Sequence, residues 1–381
     1  MNVMAMNILI APNSLKKAAN ATHAANAIKK GLEKSLPSAH LTCMPIADGG
    51  EHTLEILTDR MNGEIIPCDT TGPTGKPIKA SFGILPGHTA VIELSRASGY
   101  ELLNGTDFNP LFTTTYGTGT MIRHALDHGC RKILLTLGGS ATVDGGTGIL
   151  EALGVKFLDR ENQVLPKGGG NLLILDHLDT TDLDPRMEET EITLLCDVDN
   201  PLTGNRGAAM VFAPQKGAGP LETAVLDRCL TRLGWVLEER SGKQLTTMPG
   251  GGAAGGVAVG LSAMFNIRLE RGAEYLLDML EADKKIAACD LVITAEGSLD
   301  EQTLLGKGPA ALARRAGDAG KPVICLAGSV PLRSDHPDSL FSAVFSLQNR
   351  PMNLETSLEE SLVQLENRAF EIGRMLMLRN L

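Results

Sequence analysis

Asn7-Ile8-Leu9-Ile10-Ala11-Pro12-Asn13-Ser14-Leu15-Lys16 opens with an unbroken apolar run that a proline cuts off. A run without polar alternation suits a strand buried on both faces of a parallel sheet. Downstream, Ala18 to Lys34 spaces Ala24, Ala27, Ile28 and Leu32 as one face of a helix. His40 to Ile46 reads as a second strand, ending in Ala47-Asp48-Gly49-Gly50-Glu51, and Thr53 to Arg60 as a second helix. Strand, helix, strand, helix is the pattern of an open, mostly parallel sheet.

The pattern shifts at about Gly63. Short strands at Glu64 to Pro67, Ile78 to Leu85 and Thr89 to Leu94 are punctuated by Gly72-Pro73-Thr74-Gly75 and Pro86-Gly87. Alternation resumes with a helix at Gly119 to His128, a strand at Lys132 to Leu137 and a helix from Gly148. Strands are then predicted at Ile192 to Cys196 and Ala209 to Phe212, and helices at Thr223 to Glu239 and Ala258 to Phe265. The end of the chain is again regular α/β: strands at Leu291 to Thr294, Pro322 to Ala327 and Ser342 to Ser346, with helices at Gly308 to Ala316 and Leu354 to Met377. The two ends resemble each other more than the middle. The expectation is a discontinuous domain of residues 1–65 and 286–381 around an inserted α/β domain of residues 66–285.

Composition narrows the function. A net charge of −10 over 381 residues opposes a nucleic-acid or anionic-membrane partner, and 3% aromatic residues leave few stacking platforms. Seven cysteines with no CxxC spacing read as reduced, buried thiols of a cytoplasmic protein. No apolar run reaches the ~18 residues of a membrane span. There is no GxxxxGK[ST], GxSxG or HExxH.

Three kinds of motif carry chemistry. In Leu137-Gly138-Gly139-Ser140-Ala141-Thr142-Val143-Asp144-Gly145-Gly146, glycines follow a strand and precede a helix, a setting in which backbone amides cradle phosphate. Ser140 adds a hydroxyl, and Asp144 a carboxylate for Mg²⁺ or for a substrate hydroxyl; the alternative is a tightly packed turn. Gly250-Gly251-Gly252-Ala253-Ala254-Gly255-Gly256 contains GxGxxG, but Pro249 precedes it rather than a strand, so a dinucleotide site is disfavoured. Gly252, Gly255 and Gly256 serve either a second anion-binding helix start or close packing. Carboxylates also gather at strand ends, at Asp48, Asp197, Glu296 and Asp300, where open α/β sheets place ligands, while Glu51 serves either a ligand or the N-terminal dipole of the helix that follows it. Lys16, Lys216 and Lys307 lie beside loops or glycines and can meet an anion as point charges.

In order along nearly the whole chain, Ala11-Pro12-Asn13-Ser14-Leu15-Lys16, Ala47-Asp48-Gly49-Gly50-Glu51, Thr71-Gly72-Pro73, Gly117-Thr118-Gly119, Gly138-Gly139-Ser140-Ala141-Thr142, Cys196-Asp197-Val198, Pro214-Gln215-Lys216-Gly217, Gly252-Ala253-Ala254-Gly255-Gly256, Glu296-Gly297 and Gly306-Lys307 resemble the bacterial type I glycerate kinase family. The resemblance implies a flavodoxin-like, doubly wound parallel sheet domain interrupted by a second α/β domain, with the active site in the interdomain cleft. It also implies Mg-dependent transfer from ATP to D-glycerate, giving 2-phosphoglycerate, in glyoxylate and glycolate metabolism. Asp197, Asp144 and Lys16 are then the catalytic candidates, with Asp197 and Asp144 also the candidates for Mg²⁺. Gly138, Gly139, Ser140, Asp48, Glu51, Lys216, Glu296, Asp300 and Lys307 would bind substrate or phosphate. The partners are small molecules, with room for a homodimer.

The chain departs from the family's usual pattern at four places. It has Asn13 for Asp, His52 for Gly, Val143 for Asn and Ser298 for Arg. These departures keep a related hydroxy-acid substrate, or a ligand-binding protein that has lost activity, in view beside the kinase. The GxGxxG keeps a nicotinamide dehydrogenase as a third reading.

Overall fold

The computed structural model describes residues 6–15, 17–299, 308–330 and 340–378. Its contacts divide the chain into two units, Met1–Asp48 with Gly272–Leu381, and Gly49–Arg271.

The first unit holds five parallel strands: β1 (Asn7–Ile10), β2 (His40–Cys43), β11 (Leu291–Ser298), β12 (Val323–Ser329) and β13 (Ala343–Ser346). Their order across the sheet is β13-β12-β11-β1-β2, so Ile8 pairs with Leu41 on one side and Leu291 on the other. Counted within the unit, this is the flavodoxin-like order 2-1-3-4-5. Strand alternation splits the apolar run: Ile8 and Ile10 join Leu291, Ile293, Ile324 and Leu326 in one core against the helices Ala21–Ser35 and Ser361–Leu378. Leu9, at 0% exposure, is covered from the other face. The two helices approach backbone to backbone at Gly31, where a Cβ would lie 2.2 Å from the Glu366 carbonyl oxygen. Asn20 starts the first helix by accepting the His23 N–H.

The second unit carries a six-stranded sheet in the order β10-β9-β6-β5-β4-β3. Its strands are β3 (Glu64–Thr71), β4 (Pro77–Leu85), β5 (Thr89–Glu93), β6 (Lys132–Thr136), β9 (Glu191–Leu195) and β10 (Ile267–Glu270). β3, β4 and β5 pair antiparallel, whereas β5, β6, β9 and β10 run parallel. A small antiparallel pair, β7 (Lys156–Leu158) and β8 (His177–Asp179), lies apart. The helix Thr53–Met61 packs on β4 and β5 and so belongs to this unit.

Two local expectations are corrected. Ala208–Phe212 is a helix, not a strand. Met210 and Val211 lie on it 42% and 43% exposed. The expected helix from Gly148 is present as Thr147–Ala152. The C-terminal helix is two, Leu354–Glu359 and Ser361–Leu378, parted at Glu360.

Candidate functional site

In the second unit, the parallel strands β5, β6 and β9 deliver their C-terminal ends to one edge of the sheet, and the loops there carry Gly138, Gly139, Ser140, Asp144 and Asp197. After β6 comes Gly138–Asp144. Gly139 sits at φ 72°, a conformation that favours glycine, and its carbonyl accepts the Tyr100 N–H at 3.1 Å. A Cβ on Gly138 would fall 2.7 Å from Gly50 Cα, so this glycine admits the neighbouring Gly49-Gly50 turn. A Cβ on Gly139 would lie 3.4 Å from Glu51 Oε1, which puts the Glu51 carboxylate beside the loop. Lys216, only 3% exposed, reaches the loop from inside, donating to Ser140 Oγ at 2.8 Å and to the Thr142 carbonyl at 2.7 Å. Asp197 follows β9, half-buried, on the strand next to β6.

Asp144 differs from its sequence expectation. It is 0% exposed, and Oδ2 accepts from Thr115 N at 2.7 Å, Thr115 Oγ1 at 2.9 Å and Gly148 N at 3.3 Å. Oδ1 accepts from Gly146 N at 3.1 Å. The amides that begin the Thr147–Ala152 helix are therefore taken by the protein's own carboxylate. Burial pushes the Asp144 carboxyl up, and these donors pull it back down. With its oxygens engaged in this way, Asp144 braces the loop.

The second glycine run is likewise spent inside the chain. Gly252 N donates to the Asn200 carbonyl, Gly255 N to Gly252, and Gly256 N to Ala253. A Cβ on Gly255 would come within 2.2 Å of the Thr142 carbonyl oxygen, and Gly145 N donates to the Gly255 carbonyl. Gly252, Gly255 and Gly256 thus pack a turn under the Ser140 loop, the closer of the two uses open to them from sequence. No strand precedes the run, so the dinucleotide context is absent.

The helix that follows Glu51 is held by a group that the sequence reading passed over. Glu93, at the end of β5 and 1% exposed, accepts Leu54 N at 2.8 Å, capping the Thr53–Met61 helix. Its other oxygen accepts Arg96 Nε at 2.6 Å, and Arg96 also pairs with Glu55 and donates to Ser81 Oγ at 3.2 Å. Burial drives the Glu93 carboxyl up, and Arg96 opposes that shift. The signal available in sequence was an acid closing an apolar strand with an arginine three residues on. Tyr100 and Thr115 were missed for a different cause, since neither lies in a motif. The Tyr100 phenol is pushed up by burial and then by the charge of Glu51.

The first unit has its own constellation, at the point where β1 lies between β2 and β11 and the strand order reverses direction. Ligands of open α/β sheets gather at such points. Asn13, 5% exposed, is fixed by its N–H on the Ala295 carbonyl at 2.9 Å. Its Oδ1 accepts Ser14 N at 2.8 Å, which leaves Nδ2 to donate to Asp48 Oδ2 at 3.3 Å. Glu296 stands on β11, 7% exposed. Lys16, Asp300 and Lys307 lie outside the described residues.

A flavodoxin-ordered sheet with carboxylates at its reversal point, and a separate glycine-serine loop backed by a buried lysine, suit handling of phosphate and carboxylate groups. The chain belongs to the glycerate kinase family, whose model matches residues 8–377. It is an enzyme of that family, a phosphotransferase with an alcohol group as acceptor. It is 40% identical over 371 residues to a glycerate kinase of Halalkalibacterium halodurans, covering 96% of this chain and 97% of that one. With the glycerate 2-kinase of Escherichia coli it shares 39% identity over 348 residues, or 90% and 91% of the two chains. A crystal structure assigned as glycerate kinase 2 from Salmonella typhimurium LT2 superposes with a TM-score of 0.86 at 38% identity, covering 99% of each chain. Among the described residues, no helix is long and apolar enough to cross a membrane.

Proposed function

We propose that this kinase transfers the γ-phosphoryl group of ATP, in line and with Mg²⁺, to a hydroxyl of D-glycerate, giving 2-phosphoglycerate in the cytoplasm. The observation that carries the reading is the Gly138–Ser140 loop. Among the described residues, the N–H groups of Gly139 and Ser140 donate to no protein acceptor, and the Ser140 hydroxyl lies beside a buried cation source. Such a loop suits a phosphate or carboxylate oxygen. The regiochemistry follows the relatives, two of which carry the names glycerate 2-kinase and glycerate kinase 2.

The residues fit a hard cation. Mg²⁺ is held by one or two carboxylates plus substrate oxygens rather than by a full protein cage. Asp197, a half-buried carboxylate at the end of β9, suits that use, whereas the oxygens of Asp144 are taken. When bound, Mg-ATP supplies the phosphoryl group with its charge partly neutralised. Asp197 orients the acceptor hydroxyl and takes its proton, and the loop donors hold the oxyanion; positioning and electrostatics supply most of such catalysis.

The test is a coupled ADP-release assay over a panel of small hydroxy acids, with the product identified by ³¹P NMR. D-Glycerate should give the highest kcat/KM and 2-phosphoglycerate the sole product. Nucleotide binding without ADP release would replace the kinase by a ligand-binding protein, and turnover of NAD would replace it by a dehydrogenase. Asp197→Ala should lower kcat by roughly 10²–10⁴-fold, the contribution of one positioned base.

A further inference from the structure

Lys216 was a candidate for direct contact with an anion, yet its amine is enclosed. It ends the short turn Pro214–Lys216, and both of its hydrogen bonds run into the Ser140 loop from beneath. An enclosed amine without a hydrogen-bonded carboxylate is costly as an ammonium, so burial brings its pKa down to about 7, with the field of Asp144 working against the shift. Among the described residues, Asp144 is the charged group whose field reaches it.

The direction of the bonds matters. Nζ carries the hydrogens toward both Ser140 Oγ and the Thr142 carbonyl. Ser140 Oγ is then an acceptor on its inner side, which leaves its own hydrogen for a group outside the loop. Ser140 is half-buried and so retains an open side. We propose that Lys216 is a positioning residue that never touches substrate, and that it fixes Ser140 as an outward donor to an oxyanion. The oxyanion is a phosphate oxygen of the nucleotide or the carboxylate of the acceptor acid. With an apolar side chain at 216, the Ser140 hydroxyl loses its fixed inner donor and spends its hydrogen elsewhere.

This inference rests on the phosphoryl-transfer reading. The experiment compares Lys216→Met, Ser140→Ala, their double variant and Ser140→Thr in the full chain, by steady-state kinetics from pH 5.5 to 9. Lys216→Met and Ser140→Ala should each lower kcat/KM by about 10–100-fold, the effect of one lost charge-assisted donor. The double variant should be no worse than either single, because the two residues act as one device. Ser140→Thr, which keeps the hydroxyl, should stay within about 3-fold of the parent. A rise in the KM for ATP assigns the oxyanion to phosphate, and a rise in the KM for glycerate assigns it to the carboxylate. The parent profile should bend near pH 7, and the bend should vanish in Lys216→Met. Multiplying losses, a bend that persists in Lys216→Met, or a fully active Ser140→Ala would overturn the proposal. Should Lys216→Met fail to fold, the contrast between Ser140→Ala and Ser140→Thr decides, and equal activity of those two rejects it. If the parent releases no ADP at all, the function falls separately. Inorganic phosphate binding by titration calorimetry, expected to weaken equally in Lys216→Met and Ser140→Ala, then tests the loop by itself.

Discussion

Replacing Asp144 separates bracing from catalysis. Its carboxylate satisfies one hydroxyl and three backbone N–H groups at a site with no solvent exposure. Asp144→Ala strands all of them, and each stranded buried donor costs about 1–3 kcal/mol. Water entering the vacated space and relief of the buried charge offset part of that sum. The net loss should be about 3–5 kcal/mol, as for other broken buried charge networks. Asp144→Asn can keep its oxygen where three donors converge and lose only the bond from Gly146 N, at a cost of about 1–2 kcal/mol. Urea unfolding followed at Trp235, the single tryptophan and a residue of the second unit, measures both. Asp144→Asn should retain kcat within about 10-fold, because it leaves the loop in place; removal of a true base costs roughly 10²–10⁴-fold. An Asp144→Ala chain with parental urea stability and a kcat down by that larger factor would refute the bracing role.

His52 holds φ 69° at the start of the Thr53–Met61 helix without a side-chain capping bond, a conformation that favours glycine. His52→Gly should therefore stabilise by about 1 kcal/mol, a melting temperature raised by roughly 2–4 °C. Glu151 has its carboxyl pushed up to about 7 by burial and by the charge of Asp144. The folded state then binds more protons than the unfolded one between pH ~4.5 and ~7, so stability falls as pH rises through that window. Glu151→Gln should remove that slope and be more stable than the parent at pH 8 by up to about 3 kcal/mol, read by urea unfolding at pH 4.5 and pH 8. Asn13→Asp would set a second carboxylate where Nδ2 now donates to Asp48. It should lower the melting temperature in EDTA at pH 8 and recover it with Mg²⁺; indifference to both would mean that the two side chains do not couple.

The sheet of the first unit was legible because the apolar runs of β1 and β11 are rich in Ile, Leu and Val and alternate with helical patterns, and Pro12 cuts the first one off. Elements with weaker patterns were not. Ala208–Phe212 is apolar throughout, which suits a short helix and a strand equally. Ile267–Glu270 alternates apolar and charged residues over only four positions at the edge of its sheet, too short a signal to separate from a loop. Among the site residues, sequence marked the Ser140 loop through its glycines. The use of Asp144, Lys216 and Gly255 depended on partners far along the chain: Thr115, Ser140 and Thr142. Spacing does not reveal which amides a carboxylate will occupy.

The register of Ile8 with Leu291 has a consequence for how the protein is made. On the ribosome, β1 and β2 emerge long before β11, the strand that flanks β1 on its other side. The second unit, Gly49–Arg271, is contiguous and contains all its own sheet partners, so it can close while synthesis continues. At about 5–20 residues per second, the apolar edge of β1 waits on the order of ten seconds or more for β11. During that interval it is a template for mispairing and a natural client for chaperones. Moving the start of the chain to Gly272, so that β11, β12 and β13 precede β1, would shorten the wait and should raise the soluble yield at high expression without altering the finished sheet.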